Sequence, residues 1–307
     1  MGAGHTHDHG PVTATGAHRK RLVAVLAMTL SVAVVEVAGG LLSGSLALVA
    51  DAGHMLTDAG GLAIALLAAS LAARPATSAR TYGLARAEIL AALANALLLG
   101  VVGVWVVVEA VRRWNTPPEI ATGLMIAVAL IGGVVNLVGL LLLRRGQAES
   151  LNVRGAYLEV LGDLLGSGAV LVAGVVIALT GWARADAIAS LAIGLLILPR
   201  ALSLLRDVVD VLLEATPRGV DLEQVREHIA GVRGVVDVHD LHAWTITSGM
   251  PALSAHVVVD DECIAHGRSG EVLAALRQCL GVHFATEHCT FQLEPVGHDR
   301  LESSGHA

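Results

Sequence analysis

Six ionisable residues stand within or at the edge of long apolar stretches of this 307-residue chain: Glu36, His54, Asp58, Glu109, Glu159 and Asp163. A charge in a bilayer core is costly unless it faces a polar cavity or a partner, so each is a candidate functional group. Two pairs share a spacing. His54 and Asp58 are four apart, as are Glu159 and Asp163, and side chains four apart sit on one helix face, one turn above the other. Two facing helices with such pairs bring four nitrogen and oxygen donors to one point, which suits a tetrahedral divalent cation such as zinc. Asp51, three residues before His54, falls on about the same face, where it would guide cations in or support the ligands. Glu36 and Glu109 are lone carboxylates, either proton carriers or structural groups near an interface. Scattered polar residues also tie transmembrane helices together. Two matched pairs exceed that role, and both have glycines on their flanks: Gly53, Gly60 and Gly61, and Gly155, Gly162, Gly166 and Gly168. These glycines are expected to let the two helices approach closely.

Helices must hold these residues, and the composition says in what solvent. The chain is 54% hydrophobic and 15% charged, against about a quarter charged in soluble domains, and its mean hydropathy is +0.68. That excludes a disordered chain, a disulfide scaffold and a collagen-like repeat. About 20 apolar residues cross a hydrocarbon core, and six segments qualify: Leu22–Leu42, Leu46–Ala72, Ala87–Val111, Ile120–Leu143, Leu158–Leu179 and Ala187–Leu205. The first is too long for a cleaved signal peptide and lacks its small-residue cleavage site. Lys and Arg in the short loops orient the bundle. Arg19, Lys20, Arg21, Arg74, Arg80, Arg86, Arg144, Arg145, Arg154, Arg200, Arg206 and Arg218 fall on one side, and Arg112, Arg113 and Arg184 on the other. The basic excess places both termini in the cytoplasm.

After Glu214 the pattern becomes that of a soluble domain. Helical spacing over Val220–Val232, strands at Val235–Ile246 and Ala252–Val259, an amphipathic Gly270–Leu280 and a last strand at Cys289–Leu293 predict a two-layer α+β domain of ferredoxin-like type. The expected fold is therefore an α-helical membrane protein, six transmembrane helices over residues 21–210 followed by a cytosolic ferredoxin-like α+β domain over 211–296. A His-rich tail (1–20) and a flexible tail (297–307) flank them. Cys263, Cys279 and Cys289 form no CxxC pair, which points to a reducing compartment. The net charge of −7 and the lack of a basic block beyond Arg19–Arg21 argue against nucleic acid as a partner. No HExxH motif accompanies His54 and no nucleophile–base arrangement is visible, so an enzyme is not expected.

Three stretches carry a family resemblance: residues 40–61 (GLLSGSLALVADAGHMLTDAGG), 152–168 (NVRGAYLEVLGDLLGSG) and 239–249 (HDLHAWTITSG). The chain resembles the cation diffusion facilitators, a family of zinc exporters, from about Arg21 to Pro295. The resemblance implies a homodimer in the cell membrane that exchanges a cytosolic divalent metal for protons, with no cofactor beyond the metal it carries. It places the transport site on His54, Asp58, Glu159 and Asp163, the quartet that spacing gives. One position departs from the pattern, because the members most like animal and enterobacterial zinc transporters carry His where this chain has Glu159. A harder anionic oxygen relaxes zinc preference toward cadmium, cobalt, manganese or iron; with His54 neutral, three carboxylates around a divalent ion leave a net charge of −1. Zinc remains the first expectation, since glutamate is itself a zinc ligand.

The resemblance also implies a cytosolic metal site on His239, His256, His266 and Glu294, with His242 and His288 as weaker candidates and Gln292 where some members have a further His. Histidines on exposed strand surfaces are the alternative. The His5, His7 and His9 cluster beside Asp8, with His18 nearby, would act as a loose cytosolic antenna for cations. Two other functions remain open on sequence alone, a membrane-bound metal sensor without transport and a proton-coupled transporter of an organic solute. A sensor has no need of the buried quartet, and 3% aromatic content gives an organic solute little to stack against.

Overall fold

The computed structural model describes residues 16–144, 151–283 and 288–298; the His5–His9 cluster lies outside them. Six long helices come first: α1 (Gly16–Ser43), α2 (Leu46–Ala72), α3 (Ala87–Asn115), α4 (Thr122–Leu143), α5 (Leu151–Thr180) and α6 (Arg184–Leu212). All six are long and apolar enough to cross a membrane. They run from 22 to 30 residues, about 33–45 Å at 1.5 Å per residue, so all six outrun a hydrocarbon core of about 30 Å. This explains why several helices extend beyond the apolar runs that announce them. Side chains such as Val101, Leu165, Val172, Leu179 and Leu196 stand exposed on their surfaces, an arrangement that lipid tolerates and water does not.

Contacts divide the described chain into two compact units. One runs to Ala63 and takes in Asn95–Leu202; the other comprises Ile64–Ala94 and the chain from Ser203 onward. In the first, glycines set the helix approaches. A Cβ at Gly39 of α1 would strike Val128 of α4, one at Gly174 of α5 would strike Ile126 of α4, and one at Gly103 of α3 would strike Leu198 of α6. The glycines that the sequence assigned to an α2–α5 approach behave differently. Only Gly166 lies there, against the Asp51 carboxylate. Gly53 and Gly61 instead face Val102 and Asn95 of α3, while Gly60, Gly155, Gly162 and Gly168 have open space beside them. Helical spacing tells which face a glycine occupies, not which neighbour that face meets.

The second unit contains the α+β domain. It comprises α7 (Leu222–Ala230), β1 (Val235–Thr247), β2 (Met250–Val259), a short α8 (Asp261–Ala265), α9 (Ser269–His283) and β3 (His288–Pro295). The sheet order is β1-β2-β3, antiparallel between β1 and β2 and parallel between β2 and β3. Asp221 caps α7 by accepting from the backbone N–H groups of Glu223 and Gln224, and Asp260 caps α8 in the same way. Apolar residues alternate along β2, and Leu253, Ala255 and Val257 join Val225 and Ile229 of α7 and Val272, Leu276 and Leu280 of α9 in one core. On the opposite face of β2, Ser254 and His256 lie between the buried Ala252 and Val258. In the same unit, Ala85 of the α2–α3 connection packs with Ile246 and Ala252, and Thr247 Oγ1 donates to Glu88 Oε2 at 2.8 Å. A cleft of about 930 Å³ lies beside these contacts, lined by Arg80, Tyr82, Arg86, Glu214, His242 and Trp244 among others. Neither metal centre considered below lies in it.

Candidate metal centres

The i, i+4 pairs of α2 and α5 are linked through α6, although no three of His54, Asp58, Glu159 and Asp163 bring donor atoms within 4.8 Å of one another. His54 Nε2 lies 3.7 Å from Asp58 Oδ2 within α2. The two helices are joined by a residue of α6: Arg200 donates from Nη1 to Asp58 Oδ2 at 2.8 Å, and its Nη2 stands 3.8 Å from Glu159 Oε1. Asp163, one turn from Glu159, is 2% exposed, and its Oδ1 has no hydrogen-bond partner; nor has the buried Nδ1 of His54. Leaving a buried polar atom unpaired costs about 1–3 kcal/mol, so these two atoms are exceptions among the buried polar groups of the chain. Arg200 is the member that the loop count hid. It lies inside the predicted sixth span, directly after Pro199, which interrupts the hydrogen-bond ladder of α6. A cation within a predicted span was there to be read.

A second polar group lies in the same unit. Asp51, also 2% exposed, accepts from Ser167 Oγ of α5 at 3.4 Å, and Asn136 Nδ2 of α4 reaches that hydroxyl at 3.4 Å. Glu36 of α1 is fully buried with both oxygens unpartnered. Its carboxylate and Ser167 both crowd the place where a Cβ on Gly132 would sit. Glu36 is thus not alone, as its sequence surroundings imply, but beside other polar side chains. Glu109 has a different setting. Arg113 Nε donates to it at 3.1 Å, and Arg112 stands 3.9 Å away, which is the structural role.

In the α+β domain, strand register assembles the other candidate site. His239 of β1 pairs directly with His256 of β2, and His256 with Gln292 of β3; Glu294, two residues on, shares the face of Gln292. His239 Nε2 lies 3.1 Å from Glu294 Oε2 and His256 Nδ1 2.8 Å from Glu294 Oε1. One donor atom from each residue falls within 4.8 Å of the others, close enough to hold a metal ion, and among the described residues no other trio of His, Cys, Asp or Glu does so. Gln292 Nε2 also donates to Glu294 Oε1, at 2.8 Å. His266 is not in the group: it follows α8 and turns its Nδ1 to the Glu262 carbonyl at 2.9 Å. His288 stacks edge-on with Tyr82 instead. The residue that the sequence did not single out is Asp240. The β1–β2 register slips between His239 and His242, and Asp240 sits there with a φ of 50°, a left-handed conformation that Asp tolerates better than most residues. The bulge sets its carboxylate 3.0 Å from His242 Nε2 and 3.8 Å from His256 Nε2.

Known proteins resemble the chain along both of its parts. The cation efflux transmembrane domain matches residues 22–213, and the cation efflux protein cytoplasmic domain matches residues 217–296. The metal cation efflux system protein CzcD of Cupriavidus metallidurans is 44% identical over the whole of this chain and 94% of its own length. A cadmium, cobalt and zinc/H(+)-K(+) antiporter of Bacillus subtilis is 38% identical, covering 96% of this chain and 93% of its own. The zinc transporter ZitB of Escherichia coli is 39% identical, covering 94% of this chain and 92% of its own. With six membrane-spanning helices, the α+β domain behind them and relatives of this likeness over nearly full length, the chain belongs to the cation efflux, or cation diffusion facilitator, family.

Proposed function

We propose that this chain exports zinc from the cytoplasm across the cell membrane in exchange for protons, as a homodimer with both termini in the cytoplasm. The observation that carries the proposal is the link between the two pairs, Arg200 joining Asp58 to Glu159, with buried His54 Nδ1 and Asp163 Oδ1 unpartnered. Relatives named as zinc transporter and as cadmium, cobalt and zinc/H(+)-K(+) antiporter support the cargo class and the exchange. Ligand chemistry supplies the coupling. Imidazole and carboxylate bind metal only when deprotonated, so loading displaces protons and protonation from the other side expels the metal. Alternating access of the bundle then turns inward proton flow into outward metal flow. Glu159 leaves cadmium, cobalt, manganese and iron as secondary cargo. In the α+β domain, His239, His256 and Glu294 would hold a regulatory metal rather than the transported one.

The test is uptake of zinc, cadmium, cobalt, manganese and iron into proteoliposomes under an imposed pH gradient. Asp58→Ala and Asp163→Ala are expected to abolish flux while remaining folded dimers. Either variant moving zinc at the wild-type rate would overturn the quartet. Glu159→His is expected to keep zinc flux and narrow the range of other metals carried; zinc flux appearing only in that variant would make this carboxylate the selectivity switch and zinc the wrong cargo.

A further inference from the structure

Arg200 is unusual in its place. Transported cations are held by anions, yet here a fixed cation occupies two of the four ligands, 2.8 Å from Asp58 and 3.8 Å from Glu159. Arginine cannot shed its proton in a protein, so it leaves a ligand only by moving. It has room to do so: its side chain is 52% exposed, whereas that of Asp58 is 8% exposed. Resting on the quartet as the transport site, we propose that Arg200 is a tethered counter-ion of that site. It pairs with Asp58 and Glu159 while the site is unloaded, gives up Asp58 to the incoming divalent cation, and stays beside Glu159 once the metal is bound.

Charge arithmetic favours this assignment. With His54 neutral, Asp58, Glu159 and Asp163 bring three negative charges, and a divalent ion leaves one uncompensated. Arg200 cancels it, so the loaded site is neutral, and the unloaded one carries less of the mutual repulsion that three neighbouring carboxylates would otherwise impose. Glu159 serves as anchor. Without it, the guanidinium would have one partner in the site instead of two and would swing clear more easily. The same contact makes Arg200 a competitor for Asp58, so it weakens metal binding and speeds unloading. A cation that holds the ligand set together and then yields it is suited to a transporter, for which tight binding is a fault.

Initial zinc flux into proteoliposomes, measured against zinc concentration, tests this for the wild type, Arg200→Met, Arg200→Lys, Glu159→His and the double variant. Arg200→Met is expected to lower KM about five- to tenfold, the range of one exposed-to-half-buried charged contact, and to lower the maximal rate as release slows. Arg200→Lys, which keeps the charge, is expected to stay near the wild-type KM. In the Glu159→His background the effect of Arg200→Met on KM should shrink, because the anchor is gone; a cycle of these four proteins isolates the coupling. An unchanged or raised KM in Arg200→Met would overturn the proposal, as would an equal effect with and without Glu159. Should Arg200→Met fold poorly, the Lys variant and Glu159→His still decide it through KM. Failure of the quartet itself reads out separately, as zinc flux surviving in Asp58→Ala.

Discussion

Two buried carboxylates in the helical unit, Asp186 and Asp163, are 1% and 2% exposed and could hardly be treated more differently. Asp186, in the first turn of α6, accepts from Ser45 Oγ at 2.5 Å and from the backbone N–H groups of Leu46 and Ala47 at 2.9 and 3.2 Å. These are the orphan donors at the start of α2, where the helix dipole also favours an anion. Arg113 stands 4.0 Å away and ties the site further by donating to the Gly44 carbonyl at 2.6 Å. Asp163 keeps an oxygen with no partner. Burial alone therefore does not mark a functional carboxylate; what marks it is burial without satisfaction. A carboxylate that the protein saturates is a brace, and one that it leaves unsaturated is a receptor for something that arrives.

The contrast breaks if the two residues respond alike to mutation. Asp163→Asn is expected to abolish zinc flux, with a midpoint of thermal unfolding equal to or above that of the wild type, since the change removes a buried charge that has few partners. Asp186→Ala is expected to do the reverse. It leaves two backbone N–H groups and a hydroxyl unpaired, a loss of about 2–4 kcal/mol, so the unfolding midpoint should drop while the remaining folded protein still transports. A heat-stable Asp186→Ala would mean that water or Arg113 fills the gap, and saturation would lose its value as a criterion.

The sheet offers the same contrast in a softer form, because Glu294 is both 1% exposed and paired with His239, His256 and Gln292. Two of its partners are imidazoles, side chains able to ligate a metal, so an ion could replace those contacts without leaving an orphan. Glu294→Gln is expected to lose the cytosolic zinc, seen as fewer ions bound per chain in equilibrium dialysis, and to shrink the rise in unfolding midpoint that zinc confers. Ligand linkage makes that rise worth about 2.7 kcal/mol at a hundredfold excess over Kd. If Glu294→Gln binds as much zinc as the wild type, the trio is a hydrogen-bonded strut.

What the sequence makes legible follows the range of the forces involved. The six helices are readable because each must bury its own backbone polar groups in lipid, and that demand is written in one continuous stretch. The i, i+4 pairs are readable because helical geometry is local. The α-β-β-α-β order is readable from alternation, although α8 is not, being five residues held by the Asp260 cap. The register that sets His239 opposite His256, and the bulge that aims Asp240 at His242 and His256, are fixed by the turn and the pairing of β1 with β2 and have no signature in periodicity. Arg200 differs again. Its signal was present, a cation within a predicted span, but it was counted with the cations of the loops.

The smallest effect expected tests where the receptor end of the molecule is held. Of the glycines flanking the two ligand pairs, Gly166 alone lies where α5 meets α2, with the Asp51 carboxylate where a Cβ would go, while Gly162, on the same helix, has nothing nearby. Gly162→Ala should therefore leave stability level or raise it by up to about 1 kcal/mol, the helix propensity gain of alanine over glycine. Gly166→Ala has the same gain available but must push Asp51 away from Ser167, at a cost of about 1–2 kcal/mol in strained packing and a weakened charged hydrogen bond. The two changes thus separate by about 2 kcal/mol in unfolding free energy although they lie four residues apart on one helix. Equal stabilities would mean that Asp51 moves freely and that Ser167 does not fix it, which would set Asp51 with the unsaturated Glu36 and Asp163 rather than with the brace.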